Sequence, residues 1–495
     1  MSESVARLGD PRNHLLWSIL EGESRADVTA LMGGNRRLSY SQVARVTRRG
    51  SAEIDERLPP GSRVLIAAHD QMVVGLAFLA ALRSRCTPLL VDPQARTGIA
   101  RLAARWKVAG ALGERNLLPD TLPAIDAASI LAWSDSAEEH AVELPAVRGE
   151  EPAFWTFTSG TTGEPRAVVH AHRGPIAAHR AFGEGTLGLG PGDRTISTAG
   201  LPFVYALGNA LLFPLFAGGS AVLPRDLLLP TVLSEIARHE VTALVSGPWS
   251  LAALARLAGR SERGNALRRL ALVLSAGEPL AEGVFRRWQE AFGQAPIDNL
   301  GCTEMFNSFL SQCPGGARPG SLGGPLPGFE VRVAGAAPTP GTRGALAVRG
   351  ESRAVALSTD DDSDRVTPPD DEWCETGDEV EVGEDGRFVF LGRLDDRFKV
   401  RGQFVRPAEV ERRLLGISGV QECLVGRGVD DHAVACAVVR VVIGKRANPD
   451  DVKLRIREEL RAVLPALARV VRLEQVAELP RSPRGKLMRE RRTAP

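Results

Sequence analysis

A run of small and hydroxylated residues about a third of the way along the chain could bind phosphate. It contains two glycines, several hydroxyl side chains and a following arginine: Thr158, Ser159, Gly160, Thr161, Thr162, Gly163 and Arg166. Glycines let the backbone close around an anion so that main-chain N–H groups point inward, and hydroxyls and a guanidinium add donors. The run lacks the Gly-Lys-Ser/Thr ending of a Walker A loop and the Gly-x-Ser-x-Gly of a nucleophile elbow. Composition alone leaves a polyphosphate site and an ordinary surface loop equally open.

The composition is that of an ordinary globular enzyme. The 495 residues are enough for two or more domains, and 44% of them are apolar. Lys and Arg number 61 and Asp and Glu number 60, so charge gives no argument for binding nucleic acid or an anionic membrane.

Six cysteines without a CxxC pair fit free thiols in a reducing compartment. No signal peptide and no apolar run of about 18 residues is evident, so we expect a cytoplasmic protein without a membrane span.

Short apolar runs alternate with helical patterns over most of the chain. Residues 63–68 and 87–91 are typical of buried strands, and residues 71–85 between them are typical of a helix. This alternation predicts an α/β fold with mostly parallel sheets flanked by helices. Glycine, proline and alternating strands dominate after about residue 320, which predicts a β-rich subdomain. From about Asp395 the pattern predicts a small α+β unit, with helices at 407–415 and 450–463.

Six short motifs follow in a fixed order and identify a family resemblance. They are Thr158–Arg166, Ser275–Glu278, Asn299–Met305, Thr376–Asp378 with Gly392–Lys399, and Pro483–Lys486. In this order they resemble the adenylate-forming superfamily of acyl- and aryl-CoA ligases, peptide-synthetase adenylation domains and luciferases. The likeness extends over roughly residues 150–490. It implies a large N-terminal domain, residues 1–394, that holds ATP and the acyl pocket. It also implies a small mobile C-terminal domain, residues 395–495.

Two departures from the family pattern stand out. Arg166-Ala167 replaces the usual Lys-Gly. Arginine keeps the charge, but its planar fork is not equivalent to an ammonium. The segment 351–372 lacks the usual Gly-Tyr and is acidic, with four aspartates in residues 360–364 that we interpret as a solvated loop rather than a calcium site.

The resemblance implies a role for each motif residue. The run from Thr158 to Arg166 would bind the ATP phosphates. Thr303 would contact the α-phosphate and Glu304 would hold Mg²⁺, which usually takes one carboxylate together with phosphates and waters. Arg393 would approach the ribose and phosphate, and Lys486 would be the catalytic lysine that reaches the carboxylate and the α-phosphate. Adenine and ribose would lie against Ala276, Gly277, Glu278, Asn299, Leu300, Gly301, Cys302 and Asp378. Asp395 would be the hinge, and Lys399, Arg401, Gly402 and Gln403 would line the pantetheine tunnel for coenzyme A.

A narrower resemblance indicates which class of carboxylic acid would be the substrate. Residues 200–214, 275–280 and 303–311 resemble benzoate-CoA ligases, and no acidic residue between 195 and 223 could hold an α-ammonium group. An aromatic ring needs an apolar slot with a few polar groups. The candidates for that slot are Tyr205, Ala206, Ser246, Gly247, Gly277, Gly301 and Asn307. Benzoate ligases tend to have Gly at Ala206 and His near Asn307, so the differences suggest a substituted or larger aryl acid. Plain packing is the alternative for each of these residues.

The sequence therefore predicts an AMP-forming acid–thiol ligase. ATP would activate a small-molecule carboxylic acid, an aryl acid by the narrower likeness, as an acyl-adenylate that coenzyme A then captures, releasing AMP and pyrophosphate. A carrier-protein phosphopantetheine is an alternative acceptor that the sequence does not separate from coenzyme A. The sequence also leaves open a non-catalytic nucleotide-binding relative and a luciferase-like oxygenating ligase.

Overall fold

The fold is described from a computed structural model. It describes residues 11–20, 25–135, 143–159, 165–259, 262–358, 366–369, 371–400, 403–429, 435–444, 447–463, 471–481 and 487–488. Several predicted positions lie outside the described residues: Gly160, Thr161, Thr162, Gly163, the acidic residues 360–364, Arg401, Gly402 and Lys486.

The strands and helices of the described residues alternate through the first two-thirds of the chain. The strands are β1 (Thr29–Gly33), β2 (Arg36–Ser39), β3 (Arg63–Ala67), β4 (Thr87–Leu90), β5 (Gly110–Gly113), β6 (Ala124–Asp126), β7 (Pro152–Ser159), β8 (Pro165–Ala171), β9 (Arg194–Ser197), β10 (Ser220–Val222), β11 (Ala243–Ser246), β12 (Leu272–Ser275), β13 (Ile297–Gly301), β14 (Ser308–Ser311), β15 (Gly324–Pro325), β16 (Glu330–Val333), β17 (Arg343–Arg349), β18 (Ala356–Ser358), β19 (Val366–Thr367), β20 (Cys374–Val382), β21 (Phe388–Arg393), β22 (Phe398–Val400), β23 (Gln403–Val405), β24 (Val420–Val429), β25 (Ala435–Ile443) and β26 (Val471–Gln475). The helices are α1 (Trp17–Leu20), α2 (Tyr40–Arg57), α3 (Gln71–Arg83), α4 (Ile99–Arg105), α5 (Ala127–Ala132), α6 (Arg173–Ala178), α7 (Val204–Leu207), α8 (Phe213–Phe216), α9 (Leu229–Arg238), α10 (Pro248–Ala258), α11 (Glu262–Arg268), α12 (Glu282–Phe292), α13 (Pro407–Leu415) and α14 (Pro449–Val463).

Two large mixed sheets make up the first part of the chain. Over the described residues, one sheet has the order β15-β14-β13-β12-β11-β9-β10-β1-β2 and the other β19-β18-β8-β7-β4-β3-β5-β6. In the first sheet the strands from β13 to β1 are parallel. In the second sheet β3 to β7 are parallel, and β7 pairs with β8 in an antiparallel hairpin. The predicted α/β fold class is confirmed.

Helix α3 is the layer that both sheets share. All of its residues from Gln71 to Arg83 are buried, which is the pattern of a helix covered on every side rather than on one face. Asp70 caps its first turn, because the carboxylate accepts from the Met72 N–H at 2.8 Å. On one side α3 packs on β3, β4 and β5, and on the other a Cβ placed on Gly75 would lie 2.9 Å from Leu223, next to β10. The sheets are therefore held at a fixed separation.

A buried carboxylate links the β-rich region to the last part of the chain. Glu379 of β20 is 4% exposed and forms ion pairs with Arg343, Arg397 and Arg406. Arg343 lies on β17, whereas Arg397 and Arg406 follow the predicted hinge at Asp395. A separate core then forms from α13, α14 and the sheet β24-β25-β26. The predicted domain boundary at residues 394 and 395 falls beside this charge cluster and stays a prediction.

Among the helices that the structure describes, none is long and apolar enough to span a membrane.

Three buried histidines lie where the N-terminal segment and β8 meet the core. Burial lowers the pKa of His170 and His172 to about 3 and that of His14 to about 4. His170 Nε2 lies 3.0 Å from Thr156 Oγ1, and its ring stacks on Phe154. These rings are neutral when folded, whereas an unfolded histidine takes up a proton below a pH of about 6.5. The unfolded state therefore binds more protons, and stability is lost as the pH falls from about 6.5 towards 3.

We predict that His170→Gln weakens this acid sensitivity. In the wild-type protein each such histidine contributes a loss on the order of 2 kcal/mol between pH 7.5 and pH 5. The variant should lose correspondingly less, measured as a smaller shift of the urea midpoint between the two pH values. Phe154→Leu is the control, because it removes apolar contacts in the same place without removing a titratable group. Equal pH shifts in wild type and His170→Gln would contradict the assignment.

Candidate active site

Three predicted segments meet at one edge of the first sheet. Strands β11, β12 and β13 are parallel, and their register places Ser246 beside Ser275 and Ser275 beside Asp298. The carboxyl ends of these strands therefore open on the same side, which is where ligands bind in open α/β sheets. Ser246 Oγ lies 3.0 Å from Thr198 Oγ1 just past β9, so a fourth strand reaches the same edge.

The turn after β12 depends on a glycine. Gly277 has a φ of +88°, a conformation that side chains rarely adopt. The Ala276 N–H donates to the Ser246 carbonyl at 3.2 Å, so the turn leans towards Gly247 and the end of β11. Ala276 and Gly277, predicted to face adenine, are thus brought next to Ser246 and Gly247, predicted to line the acyl pocket.

The Asn299 amide ties helix α7 to the strand ends. Its Nδ2 donates to Tyr205 Oη at 3.1 Å and to the Ser275 carbonyl at 3.0 Å, and its Oδ1 accepts from Ser308 Oγ at 2.6 Å. Asn299 is 2% exposed and its amide is hydrogen-bonded to the protein, and its predicted contact with the nucleotide stays a prediction. It supports the edge, while Leu300, which follows it, is only partly buried.

The Asn307 side chain forms hydrogen bonds with helix α7 and with Asn209. Its Nδ2 donates to the Val204 carbonyl at 3.1 Å, and its Oδ1 accepts from Asn209 Nδ2 at 3.0 Å. A Cβ at Gly301 would lie 2.4 Å from the Asn307 carbonyl oxygen, so only glycine fits there. The polar atoms of Asn307 hold α7, which carries Tyr205 and the fully buried Ala206. The sequence predicts that Asn307 lines the pocket. Its hydrogen bonds fit a supporting role, and contact with the acid stays a prediction.

Phe306 adopts a strained conformation beside the Thr303–Met305 turn. Its φ is +64°, and its ring is fully buried in T-shaped contacts with Phe154 at 5.9 Å and His170 at 5.4 Å. Such a conformation costs about 1–3 kcal/mol and persists only where packing enforces it. Because Phe154 and His170 belong to the second sheet, this packing fixes Thr303 and Glu304 against the strands that carry the predicted phosphate run.

Glu304 has the properties expected of a magnesium ligand. Its main-chain carbonyl accepts from the Ala354 N–H at 2.7 Å, which holds the turn, and its side chain is partly buried. In the part of the chain that the structure describes, the Glu304 carboxylate has no hydrogen-bond or ion-pair partner, and no three acidic, histidine or cysteine side chains cluster as a metal site. Mg²⁺ usually takes one or two carboxylates plus phosphate oxygens and waters, so a single free carboxylate fits.

Asp378 and Arg393 form the predicted ribose site on neighbouring strands. The two residues are opposite each other in the β20–β21 register, and the guanidinium lies 3.0 Å from the carboxylate. Arg393 also donates to the Thr376 carbonyl at 2.7 Å. Gly377, which lies between Thr376 and Asp378 in the chain, has a φ of +73°, and a Cβ there would lie 2.7 Å from the Arg393 guanidinium. Asp395 lies 3.8 Å from the other guanidinium nitrogen, so the predicted hinge and the predicted ribose site are adjacent.

The phosphate run lies between β7 and β8. Register pairs Thr158 with Arg166 and Ser159 with Pro165, so the antiparallel strands bring both ends of the run together. Strand β7 lies against the Thr303–Met305 turn. The strand that leads into the run and the turn with the predicted α-phosphate contact are therefore neighbours.

Two of the residues predicted to contact coenzyme A, Lys399 and Gln403, lie on the paired strands β22 and β23. Lys399 Nζ lies 4.5 Å from the ring centre of Phe404, and Gln403 is exposed. β22 begins three residues after Asp395, and the roles of both residues stay predictions.

Burial raises the pKa of two groups at this edge: Asp298, which the motifs did not single out, and Tyr205, a predicted slot residue. Burial raises the pKa of the Asp298 carboxyl well above its ordinary range, against the main-chain N–H groups of Leu280 and Asn299. Burial also raises the pKa of the Tyr205 hydroxyl, which stays neutral and accepts from Asn299. Asn209 and Ser308, whose polar atoms complete the amide network, were missed as well. Only their proximity to motif residues in sequence could have indicated them.

We predict that Asp378→Asn weakens ATP binding by about tenfold or more. The asparagine offers one acceptor in place of a carboxylate, and its NH₂ group would face the Arg393 guanidinium. The dissociation constant of a non-hydrolysable ATP analogue, measured by calorimetry, reports the change. Asp385→Asn is the matched control, because Asp385 is half-exposed in the turn between the same two strands and pairs with Arg387 instead. An unchanged dissociation constant in Asp378→Asn would exclude the ribose assignment.

Comparison with known proteins agrees with this geometry. The family model of the AMP-binding enzymes matches residues 21–356. Benzoate–CoA ligase from Thauera aromatica is 30% identical over 475 residues, 91% of this chain and 89% of that protein. Anthranilate–CoA ligase from Pseudomonas aeruginosa is 30% identical over 466 residues, 89% of this chain and 88% of that protein. The crystal structure of anthranilate CoA ligase AuaEII in complex with anthranoyl-AMP has a TM-score of 0.84 at 27% identity and covers 98% of this chain and 97% of that one. The family resemblance read from the motifs is thereby confirmed, and the chain belongs to the AMP-binding enzyme family, among the AMP-forming acid–thiol ligases.

Proposed function

We propose that this enzyme activates an aryl acid, of the substituted-benzoate class, with ATP and transfers the acyl group to coenzyme A. The observation that carries the proposal is the Asn299 hydrogen bond to Tyr205, which joins helix α7 to the end of β13. This bond sets the predicted acyl slot beside the predicted adenine turn, so one acyl-adenylate could span both. AMP-forming CoA ligases use ATP, Mg²⁺ and coenzyme A.

The slot has the chemistry of an aryl site. Tyr205 presents a flat ring on α7, and Ala206 beside it is fully buried. Gly247 and Gly277 carry no side chain, and the space where their side chains would lie holds no closer atom than the Ala276 carbonyl oxygen at 3.4 Å, which leaves room for a planar ring. The Ser246 hydroxyl is one of few polar groups. The residues from 195 to 223 include no carboxylate that could balance an α-ammonium group. An aminoacyl substrate is therefore disfavoured, and the benzoate and anthranilate ligases among its relatives support the aryl class.

The first half-reaction follows from the charges at the site. The carboxylate of the acid attacks the α-phosphorus of ATP in line, a phosphorus–oxygen bond forms, and the bond to pyrophosphate breaks. The Thr303 hydroxyl, the Arg393 guanidinium and the Lys486 ammonium would stabilise the charge that builds on the α-phosphate. Mg²⁺ at Glu304 would neutralise phosphate charge when bound. Lys486 and most of the phosphate run lie outside the described residues, so their roles rest on the motifs.

The second half-reaction transfers the acyl group to a thiol. Rotation about Asp395 would withdraw Lys486 and bring Lys399, Arg401, Gly402 and Gln403 to the acyl-adenylate. The thiol sulfur then attacks the acyl carbon, and AMP leaves. Gly402 suits the route of a pantetheine arm, since a side chain there would block close approach. We propose free coenzyme A rather than a carrier protein as acceptor, because the relatives compared above are named CoA ligases.

Acid-dependent pyrophosphate release tests the proposal directly. The purified enzyme, ATP and Mg²⁺ are assayed with benzoate, hydroxybenzoates, anthranilate, aliphatic acids and amino acids, and the products with coenzyme A are identified by mass spectrometry. We expect at least tenfold higher kcat/KM for an aryl acid than for any aliphatic or amino acid, about 1.4 kcal/mol of discrimination. Preference for aliphatic acids would overturn the substrate class, and absence of release with every acid would overturn the activity.

A further inference from the structure

A hydrogen bond joins the C-terminal end of the chain to the turn after β12. The main-chain N–H of Leu487 donates to Glu278 Oε1 at 2.8 Å, although the two residues are 209 positions apart. Both residues are partly buried. The motifs place Glu278 in the predicted adenine-binding turn, so this carboxylate has a contact that its motif does not indicate.

The segment that carries Leu487 is itself attached to the small C-terminal sheet. Arg481 and Leu487 form an isolated antiparallel bridge, and the Met488 N–H donates to the Pro480 carbonyl at 2.9 Å. Arg481 also forms an ion pair at 3.0 Å with Glu422 of β24. Leu487 is therefore linked to the unit of β24, β25 and β26. Through Leu487, the Glu278 carboxylate attaches this whole unit to the turn after β12.

A second, weaker contact supports the same docking. The Arg481 guanidinium lies 5.8 Å from the ring centre of Trp249, which is in the first turn of α10 and follows Gly247. Exposed or partly exposed cation–π contacts of this length contribute little. The shorter, charge-assisted hydrogen bond to Glu278 is the stronger of the two contacts.

We propose that Glu278 is a positioning residue that fixes the backbone next to Lys486 in the orientation that forms the adenylate. This inference rests on the proposed function. Consecutive Cα atoms are about 3.8 Å apart, so a hydrogen bond that immobilises the Leu487 amide also limits where the neighbouring Lys486 can be. The bond is made between the β12 turn and the C-terminal unit, so rotation about Asp395 must break it. Glu278 therefore favours the first half-reaction and is not used in the second.

The two half-reactions, measured separately, test this role. Single-turnover adenylation is followed by pyrophosphate release from ATP and the preferred aryl acid, and thioester formation is followed from chemically prepared aryl-adenylate and coenzyme A. For Glu278→Ala we expect adenylation kcat to fall about tenfold or more. We expect the KM for ATP to stay within about threefold of wild type, because loss of the amide contact costs alignment rather than nucleotide binding. Thioester formation should fall much less than adenylation does, because the contact with Leu487 is not made in that orientation.

Glu278→Gln is the conservative variant. Its amide oxygen still accepts from the Leu487 N–H, so it should restore adenylation to within about threefold of wild type. Glu282→Ala is the matched control. Glu282 lies four residues further on, is 60% exposed and pairs with Arg286 within α12, so its loss should leave both half-reactions unchanged. Lys486→Ala gives the reference for complete loss of adenylation, and circular dichroism verifies that each variant is folded.

Four results would overturn the inference. They are an unchanged adenylation rate in Glu278→Ala, an equal loss in both half-reactions, a rise in the KM for ATP that accounts for the whole loss, and a Glu278→Gln variant as slow as Glu278→Ala. The third result would assign Glu278 to the nucleotide instead. If the wild-type enzyme releases no pyrophosphate with any acid, the proposed function is wrong, and this inference is wrong as well because it rests on that function. An active wild type with any of the four results leaves the proposed function standing.

Discussion

The active site depends on one constraint, which is that adjacent parallel strands must end at the same edge of their sheet. β11, β12 and β13 satisfy it, and their register puts Ser246, Ser275 and Asp298 side by side. Each strand end then continues into a turn that carries motif residues. Segments that are distant in the sequence thus become neighbours without any loop having to reach across the molecule. The Asn299 amide makes the arrangement rigid, because it is bonded to β12 and to Tyr205 at once.

The second sheet carries the strands that flank the predicted phosphate run, and packing fixes this sheet against the first. α3 is buried between the sheets, and Phe306 from one sheet contacts Phe154 and His170 from the other. This contact enforces a strained backbone just after Thr303 and Glu304. If Phe306 relaxed out of the left-handed region, the Thr303–Met305 turn would move. The strained conformation therefore keeps this turn in place at a cost in stability. Near the predicted hinge, the buried carboxylate of Glu379 forms ion pairs with arginines from both sides of Asp395.

Much of this fold was predictable from local pattern. The helix expected at 407–415 is α13, and the strands expected at 63–68 and 87–91 are β3 and β4, each one residue shorter than expected. These elements have strong periodicity and clear capping or turn residues, so local preference and tertiary packing agree. Gly277 and Gly377 were found through motifs, and their positive φ values give the physical reason why glycine occurs there.

The supporting contacts were not predictable, because they depend on residues that only the fold brings together. Asn307 is expected at the pocket face, yet its amide bonds behind it to Val204 and Asn209, which are 103 and 98 positions away. Phe306 resembles an ordinary apolar residue, since nothing in the sequence signals a left-handed aromatic. The contact of Glu278 with Leu487 joins two motifs that sequence order places far apart. The motifs predicted the chemistry, and the three-dimensional arrangement added the hydrogen-bond partners of the motif residues.

The central claim is that one acyl-adenylate spans the strand edge, from the Tyr205 slot to the Asp378–Arg393 pair. The most direct test is a crystal structure of the enzyme with a non-hydrolysable benzoyl-adenylate analogue. The account predicts the aryl ring between α7 and Gly301, the adenine against Gly277, and both ribose hydroxyls on Asp378. Nucleotide density away from the ends of β11, β12 and β13, or an aryl ring outside the α7 slot, would contradict it.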